Sequence, residues 1–160
     1  MKSAFWPALA VALLASFTVA GIGGALTELG PWYYALQQPA WKPPDAAFGV
    51  IWSAIFSLCA ISAALAWVQA ATRPRRVRLL LLFGVNGVLN MLWSLLFFTL
   101  HRPDWAMAEW VLLWLSVLSL VLGLRSYGRL AAWLNLPYLL WVTTAGLLNW
   151  QTMALNGPFH

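Results

Sequence analysis

Two asparagines and a tryptophan share one predicted helix face within a strongly apolar segment. Asn86, Asn90 and Trp93 are spaced i, i+4 and i+7, and Phe97 follows at i+11, so a helix places all four on one side. Carboxamides in hydrocarbon are costly unless paired, and polar groups in membranes usually face the bundle interior or a cavity. The pattern fits hydrogen bonds between helices and contact with a bound ligand equally well.

A second apolar segment carries a similar face. Tyr138, Trp141 and Asn149 fall on one side of a helix that also contains Pro137. A proline inside a helix frees a backbone carbonyl, which then needs a partner from a neighbour or water. The sequence predicts a kink at Pro137. Tyr138 and Trp141 beside it could form the wall of a ligand site, and a purely structural kink is the alternative.

The stretch 27–47, between the first two apolar segments, is rich in proline and aromatic residues. Proline lacks a backbone donor and biases the residue before it toward extended geometry, so a continuous helix is not expected. Large rings are normally kept from full exposure. We expect this loop to be a lid over a cavity, with interfacial anchoring as the alternative. Its prolines and aromatic residues include Trp32, Tyr33, Tyr34, Pro39, Trp41, Pro43 and Pro44.

No arrangement of residues typical of a catalytic or cofactor site is present in the sequence. There is no plausible Ser-His-acid set, no metal-ligand cluster and no glycine-rich phosphate loop, so we predict neither catalytic residues nor a cofactor. Glu109 is the only acid that a membrane span could contain. Its position four residues after Trp105 predicts a headgroup-facing or capping side chain.

Composition places the chain in a membrane. Hydrophobic residues make up 62% and charged residues 8% of the sequence, and the mean hydropathy is +0.77; soluble domains carry roughly 25% charged residues. We predict an all-α integral membrane protein, with residues 1–160 forming a single five-transmembrane-helix bundle. The first span is expected to be retained rather than cleaved, because small residues recur every fourth position from Ala8 to Gly24. The predicted spans are about 4–26, 48–70, 79–100, 105–124 and 131–155.

Basic residues are distributed unequally between the two predicted sides. The side of the N-terminus holds Lys2, Arg125, Arg129 and the arginines of 73–78, whereas the other side holds only Lys42 and Arg102. The positive-inside rule then places the N-terminus on the cytoplasmic side of a bacterial inner membrane. This asymmetry explains the net charge of +5 without nucleic acid as a partner. Tryptophans near span ends are expected at the membrane interface, as is typical of aromatic belts. They are Trp67, Trp105, Trp110 and Trp133.

Taken together, these motifs resemble one family. W-Y-x-x-L-x-x-P-x-W-x-P-P (32–44) and F-x-x-x-W (48–52) are followed by N-x-x-x-N-x-x-W-x-x-x-F-F (86–98) and P-Y-x-x-W-x-x-x-x-x-x-L-N (137–149). Their order and spacing resemble the TspO/MBR family, the tryptophan-rich sensory or translocator proteins once called peripheral-type benzodiazepine receptors. The resemblance covers nearly the whole chain.

The resemblance implies a homodimer that binds a porphyrin such as protoporphyrin IX beneath the first loop. It places Trp52, Asn86, Asn90, Trp93 and Trp141 in the pocket, with Glu109 nearby. Tyr33, Trp41 and Pro44 would lie above the pocket. If the protein degrades porphyrin in light, as some bacterial members are reported to do, Trp52 and Trp141 would be the reactive tryptophans. A small transporter or a scaffold for lipophilic ligands or partner proteins is a further alternative.

Several features depart from the family pattern or leave choices open. The end of the fifth span lacks the tyrosine and base of the sterol-recognition pattern, so sterol binding by that route is not expected. Ser94-Leu95 stands where a proline often kinks the third helix, which predicts a different curvature. Some family members are reported in outer membranes. Candidate dimer contacts are Ala60/Ala64, Gly84/Val88 and the small residues of the first span.

Overall fold

The computed structural model describes residues 2–159, with side chains from Ala4 to Phe159. Met1, His160 and the side chain of Lys2, which contributes to the predicted charge asymmetry, lie outside the described residues. That part of the chain is 83% helix and contains no strands. The helices are α1 (Lys2–Leu26), α2 (Pro31–Ala35), α3 (Asp45–Gln69), α4 (Arg73–Ser94), α5 (Pro103–Gly123), α6 (Arg129–Trp133) and α7 (Leu136–Asn156).

Five helical segments are long and apolar enough to cross a membrane, which confirms the predicted fold class and an integral membrane protein. Helix α1 packs on α3 and α4, α4 packs on α5, and α5 packs on α7. Ala60 and Ala64 on α3 are fully buried inside this protomer, so the suggestion that they contact a second copy is wrong. The five spans are Ala4–Leu26, Asp45–Gln69, Arg73–Thr99, Pro103–Ser126 and Arg129–Asn156.

The third span changes helix type where the sequence lacks the expected proline. After Ser94 it continues as a π-helical turn, Leu95–Thr99. Single π turns inside α-helices redirect side chains and often lie at functional sites. Here the turn brings two adjacent phenylalanine rings toward Trp93, at centroid distances of 5.2 Å for Phe97 and 6.0 Å for Phe98.

The predicted kink at Pro137 is wrong, because the helix is interrupted before the proline. Helix α6 ends at Trp133, and Pro137 lies in the first turn of α7. A proline is tolerated there because its missing N–H has no helical partner. Asn135, which is fully buried, fastens this break to α3: its Nδ2 donates to Ser62 Oγ at 2.8 Å. The break orients α7, which carries Tyr138 and Trp141.

Candidate functional site

Tyr138 is the centre of an aromatic cluster to which four spans contribute. Its side chain is 1% exposed, and its hydroxyl accepts a hydrogen bond from Asn90 Nδ2 at 3.1 Å. The ring of Trp52 meets it edge-on, at a centroid distance of 5.9 Å. Both Trp93 and Trp141 pack against the same cluster. Residues predicted on α3, α4 and α7 therefore converge in the interior.

The two asparagines of α4 are both buried but have different partners. Asn86 Nδ2 donates to Ser116 Oγ on α5 at 2.9 Å, whereas Asn90 bonds Tyr138 on α7. Each side chain is 6% exposed. Both side chains therefore link helices. Each could still contact a ligand, because each amide has further hydrogen-bonding capacity.

Two further predicted residues lie on α7 toward the loop. Asn149 is 2% exposed, and its Nδ2 donates to the carbonyl of Pro103 at the start of α5, at 3.2 Å. The ring of Trp141 meets Phe48 edge-on, at a centroid distance of 5.4 Å. Phe48 lies in the first turn of α3, directly after the loop.

Glu109 does not face outward, so the expectation of a headgroup-facing side chain is wrong. The side chain is 6% exposed. It shares a face of α5 with Ala106 and Leu113, which pack in two clusters that both include Trp93. The sequence argument placed Glu109 by its distance from the end of the span. That distance does not say in which direction the side chain points.

Several buried polar atoms have no hydrogen-bond partner among the described residues. Two are donors, the Nε1 groups of Trp93 and Trp141, and three are acceptors, Asn149 Oδ1 and both carboxylate oxygens of Glu109. Buried polar groups in native proteins are nearly always paired, so each exception needs an explanation. A ligand or water offering both donors and acceptors would satisfy this set.

Trp110 and Trp114, on α5, are half-buried residues whose bonds to α7 the sequence did not reveal. Trp110, which was expected at the membrane interface, donates its Nε1 hydrogen to the carbonyl of Val142 on α7 at 2.7 Å. Trp114 Nε1 donates to Thr143 Oγ1 at 2.8 Å. A Cβ at Gly146 would overlap the ring of Trp110. This glycine among bulky residues was the available signal that an indole packs there.

The loop before α3 is held by a buried tyrosine. Tyr33 is 6% exposed; its hydroxyl donates to Asp45 Oδ1 at 3.1 Å and accepts from Lys42 Nζ at 2.9 Å. Burial raises the pKa of the Tyr33 phenol, although Lys42 opposes this. Burial alone would lower the pKa of Lys42, but its bonds to Asp45 and Tyr33 raise it. The Lys42 ammonium is therefore charged at neutral pH and keeps its contacts with Asp45 and Tyr33. These contacts are lost only as the pH rises through the raised pKa of Lys42.

The same loop is fastened to the end of α7 by side-chain hydrogen bonds. Trp41 Nε1 donates to Gln151 Oε1 at 2.6 Å. The amide of Asn156 pairs with the backbone of Gln37, accepting from N at 2.7 Å and donating to O at 2.9 Å. Trp41 is nevertheless 47% exposed, and Pro44 is an exposed residue that precedes α3. The loop that leads into α3 is thus also bonded to the end of α7.

Comparison with known proteins agrees with this architecture. A sequence model described as TspO/MBR family matches residues 8–155. The chain belongs to the TspO/MBR family. It is 39% identical to "Protein CrtK" of Rhodobacter capsulatus over 137 residues, which is 86% of each chain.

Other relatives of this TspO/MBR member come from bacteria and animals. The "Tryptophan-rich sensory protein" of Cereibacter sphaeroides is 30% identical over 149 residues, covering 93% of this chain and 92% of the relative. The "Translocator protein" of Bos taurus is 29% identical over 149 residues, covering 91% and 87%. The match along nearly all of each chain places this protein with membrane proteins named as sensors and translocators.

Proposed function

We propose that this TspO/MBR member is a membrane sensor or translocator that binds a tetrapyrrole such as protoporphyrin IX among Trp52, Trp93, Tyr138 and Trp141. The observation that carries the proposal is the set of buried, unpartnered polar atoms beside stacked aromatic rings. A porphyrin offers a large flat face for those rings. Its carboxyl groups suit the free indole N–H groups when ionised, and they can donate to the oxygens of Glu109 and Asn149 when protonated.

The loop would cover the bound macrocycle. Phe48, which touches Trp141, follows the loop directly, so a movement of the loop would reach the aromatic cluster through α3. Tyr33 and Trp41 would hold the closed position through their bonds to Lys42, Asp45 and Gln151. Pro44, at the junction of loop and helix, fixes one dihedral angle and would limit the directions in which the loop moves.

Titration with protoporphyrin IX, followed by quenching of tryptophan fluorescence, tests the proposal. The double variant Trp52→Phe/Trp141→Phe removes two indoles of the cluster and keeps two aromatic rings. We expect its Kd to be at least about tenfold weaker than that of the wild type, since the variant loses the free indole N–H of Trp141 and a hydrogen bond to a charged group contributes about 1.5–3 kcal/mol. The control is Trp6→Phe/Trp150→Phe, because both side chains are exposed. Equal affinity of wild type and double variant would refute the site.

Illumination of the same samples separates binding from chemistry. A new absorbing product, formed with the wild type and not with Trp52→Phe/Trp141→Phe, would make the protein a light-dependent porphyrin-degrading enzyme. Bleaching equal to that of free porphyrin in detergent would leave binding alone. The homodimer and the cytoplasmic N-terminus in an inner membrane remain part of the proposal. Cross-linking in native membranes and labelling of single cysteines introduced in the loop and near Arg125 test them.

A further inference from the structure

A long apolar groove lies between α1, α3 and α4; Asn86 lines it, but the aromatic residues of the proposed tetrapyrrole site do not. Its volume is about 660 Å³, within the range of ligand pockets. Residues that line it along α1 run from Ala4 to Val19, a distance of about 22 Å at 1.5 Å per residue. That is most of the depth of a hydrocarbon core of about 30 Å. An elongated, apolar space of this length suits an acyl chain.

The groove is open to the membrane along part of its length. Gly84 and Val88, which line it on α4, are exposed, and a side chain at Gly84 would meet nothing within 4 Å. Toward the loop end α1 and α4 come together, since a Cβ at Gly87 would lie 3.1 Å from Val19 Cγ2. A chain occupying the groove would therefore extend from the Val19 end toward the arginine-rich start of α4.

An arginine and a tryptophan stand at that end. Trp67 lines the groove, and the guanidinium of Arg76 lies 5.0 Å from its ring centroid. Arg76 Nε donates to the carbonyl of Ala70 at 3.1 Å, which orients the group and leaves its other donors free. Arg76 is exposed, and the ion pairs of the described residues, Lys42–Asp45 and Arg102–Asp104, are both at the opposite end of the bundle.

The positive charge around Arg76 has no balancing acid nearby. Arg73, Arg75 and Arg78 flank it on the first turns of α4. The acids of the sequence are Glu28, Asp45, Asp104 and Glu109, which lie at or near the loop-side ends of their helices. Arginine binds phosphate through its planar set of donors, and tryptophan is favoured at the level of lipid headgroups.

We infer that this groove is a binding site for an anionic phospholipid, with one acyl chain between α1 and α4 and the phosphate on Arg76. The occupant is a membrane lipid, because a second copy seated here would bring its own arginines beside Arg76 and supply no anion. The proposed homodimer would then form through a face other than Gly84 and Val88. One interfacial arginine gives a preference of about fivefold for an anionic over a zwitterionic headgroup.

Native mass spectrometry of the full chain in detergent, with phosphatidylglycerol or phosphatidylcholine added, tests the inference. We expect the first phosphatidylglycerol to bind about fivefold more tightly than phosphatidylcholine. Arg76→Gln should bring the two lipids to parity, while Arg125→Gln, an exposed arginine at the same end, should not. Gly84→Phe should fill the groove and weaken the first binding event for both lipids. Gly21→Phe is the matched control, since Gly21 also has nothing within 4 Å.

Equal losses in Arg76→Gln and Arg125→Gln would overturn the inference, because the preference would then be general attraction to a basic surface. Unchanged lipid binding in Gly84→Phe would overturn it as well. If Gly84→Phe instead converts dimers to monomers and leaves phosphatidylglycerol bound, a second copy occupies the groove. The porphyrin titration does not enter any of these outcomes, so this inference and the proposed function can fail separately.

Discussion

The indole ring of Trp110 lies over Gly146, and only a glycine at position 146 leaves room for the ring. Its Nε1 reaches past the glycine to the carbonyl of Val142 at 2.7 Å, and a Cβ at Gly146 would overlap the ring. This contact joins α5 to α7. Since Glu109 is the neighbour of Trp110 and Asn149 lies one turn beyond Gly146, the contact also sets the distance between two groups of the proposed site.

Replacing Gly146 with alanine should therefore destabilise the protein. Overpacking a close contact costs about 1–3 kcal/mol, and here the clash is with a rigid ring whose hydrogen bond fixes its place. The measurement is the free energy of unfolding in detergent by denaturant titration. Gly21→Ala is the control, and it should be neutral or slightly stabilising because nothing lies within 4 Å of that position. Equal stability of both variants would contradict the close contact.

The sequence was sufficient to predict the spans and the inward face of α4, because hydropathy and helical periodicity depend only on residues close together in the chain. It could not pair Asn90 with Tyr138 or Asn86 with Ser116, since such pairs depend on how separate helices are rotated. The same limit explains the error at Glu109. At Pro137, the break lies earlier because Asn135 finds buried partners on α3, Ser62 and Cys59, which no local pattern reveals.

Asn135→Ala should lower stability through loss of the link between α3 and the start of α7. The change removes the donor to Ser62 Oγ and to the carbonyl of Ala131. Hydrogen bonds between membrane helices contribute about 0.6 kcal/mol on average and up to about 1.7, so we expect a loss of roughly 1–2 kcal/mol. Thr144→Ala is the control, because Thr144 is bonded only within its own helix. A loss no larger than that of the control would count against the link.

Glu109→Leu should stabilise the empty protein and weaken ligand binding. The carboxylate is buried without a partner, and leaving buried polar groups unpaired costs about 1–3 kcal/mol, which leucine removes. Sites built for binding often sacrifice stability in this way. Thermal unfolding without ligand and the Kd for protoporphyrin IX are the two readouts. Glu28→Leu, at an exposed position, should change neither. A destabilised Glu109→Leu protein would show that the carboxylate is structurally paired in solution.

The bonds between loop and α7 should slow release of ligand. Gln151→Ala/Asn156→Ala removes the partners of Trp41 and Gln37, and the loss of these three hydrogen bonds should speed dissociation by about tenfold. Stopped-flow displacement of porphyrin measures that rate. Hydrogen exchange of amides 27–44 provides a readout that needs no ligand, and it should also become faster. Unchanged exchange would mean that Tyr33 and Lys42 alone hold the loop.

The most direct test follows the indole N–H groups themselves by ¹⁵N NMR, with resonances assigned through single Trp→Phe variants. Trp93 and Trp141 have free Nε1 groups, whereas Trp114 Nε1 is already bonded to Thr143. Adding protoporphyrin IX should shift the Trp93 and Trp141 resonances in the direction of hydrogen bonding and leave that of Trp114 in place. Unmoved Trp93 and Trp141 resonances in a protein saturated with porphyrin would contradict the proposed site.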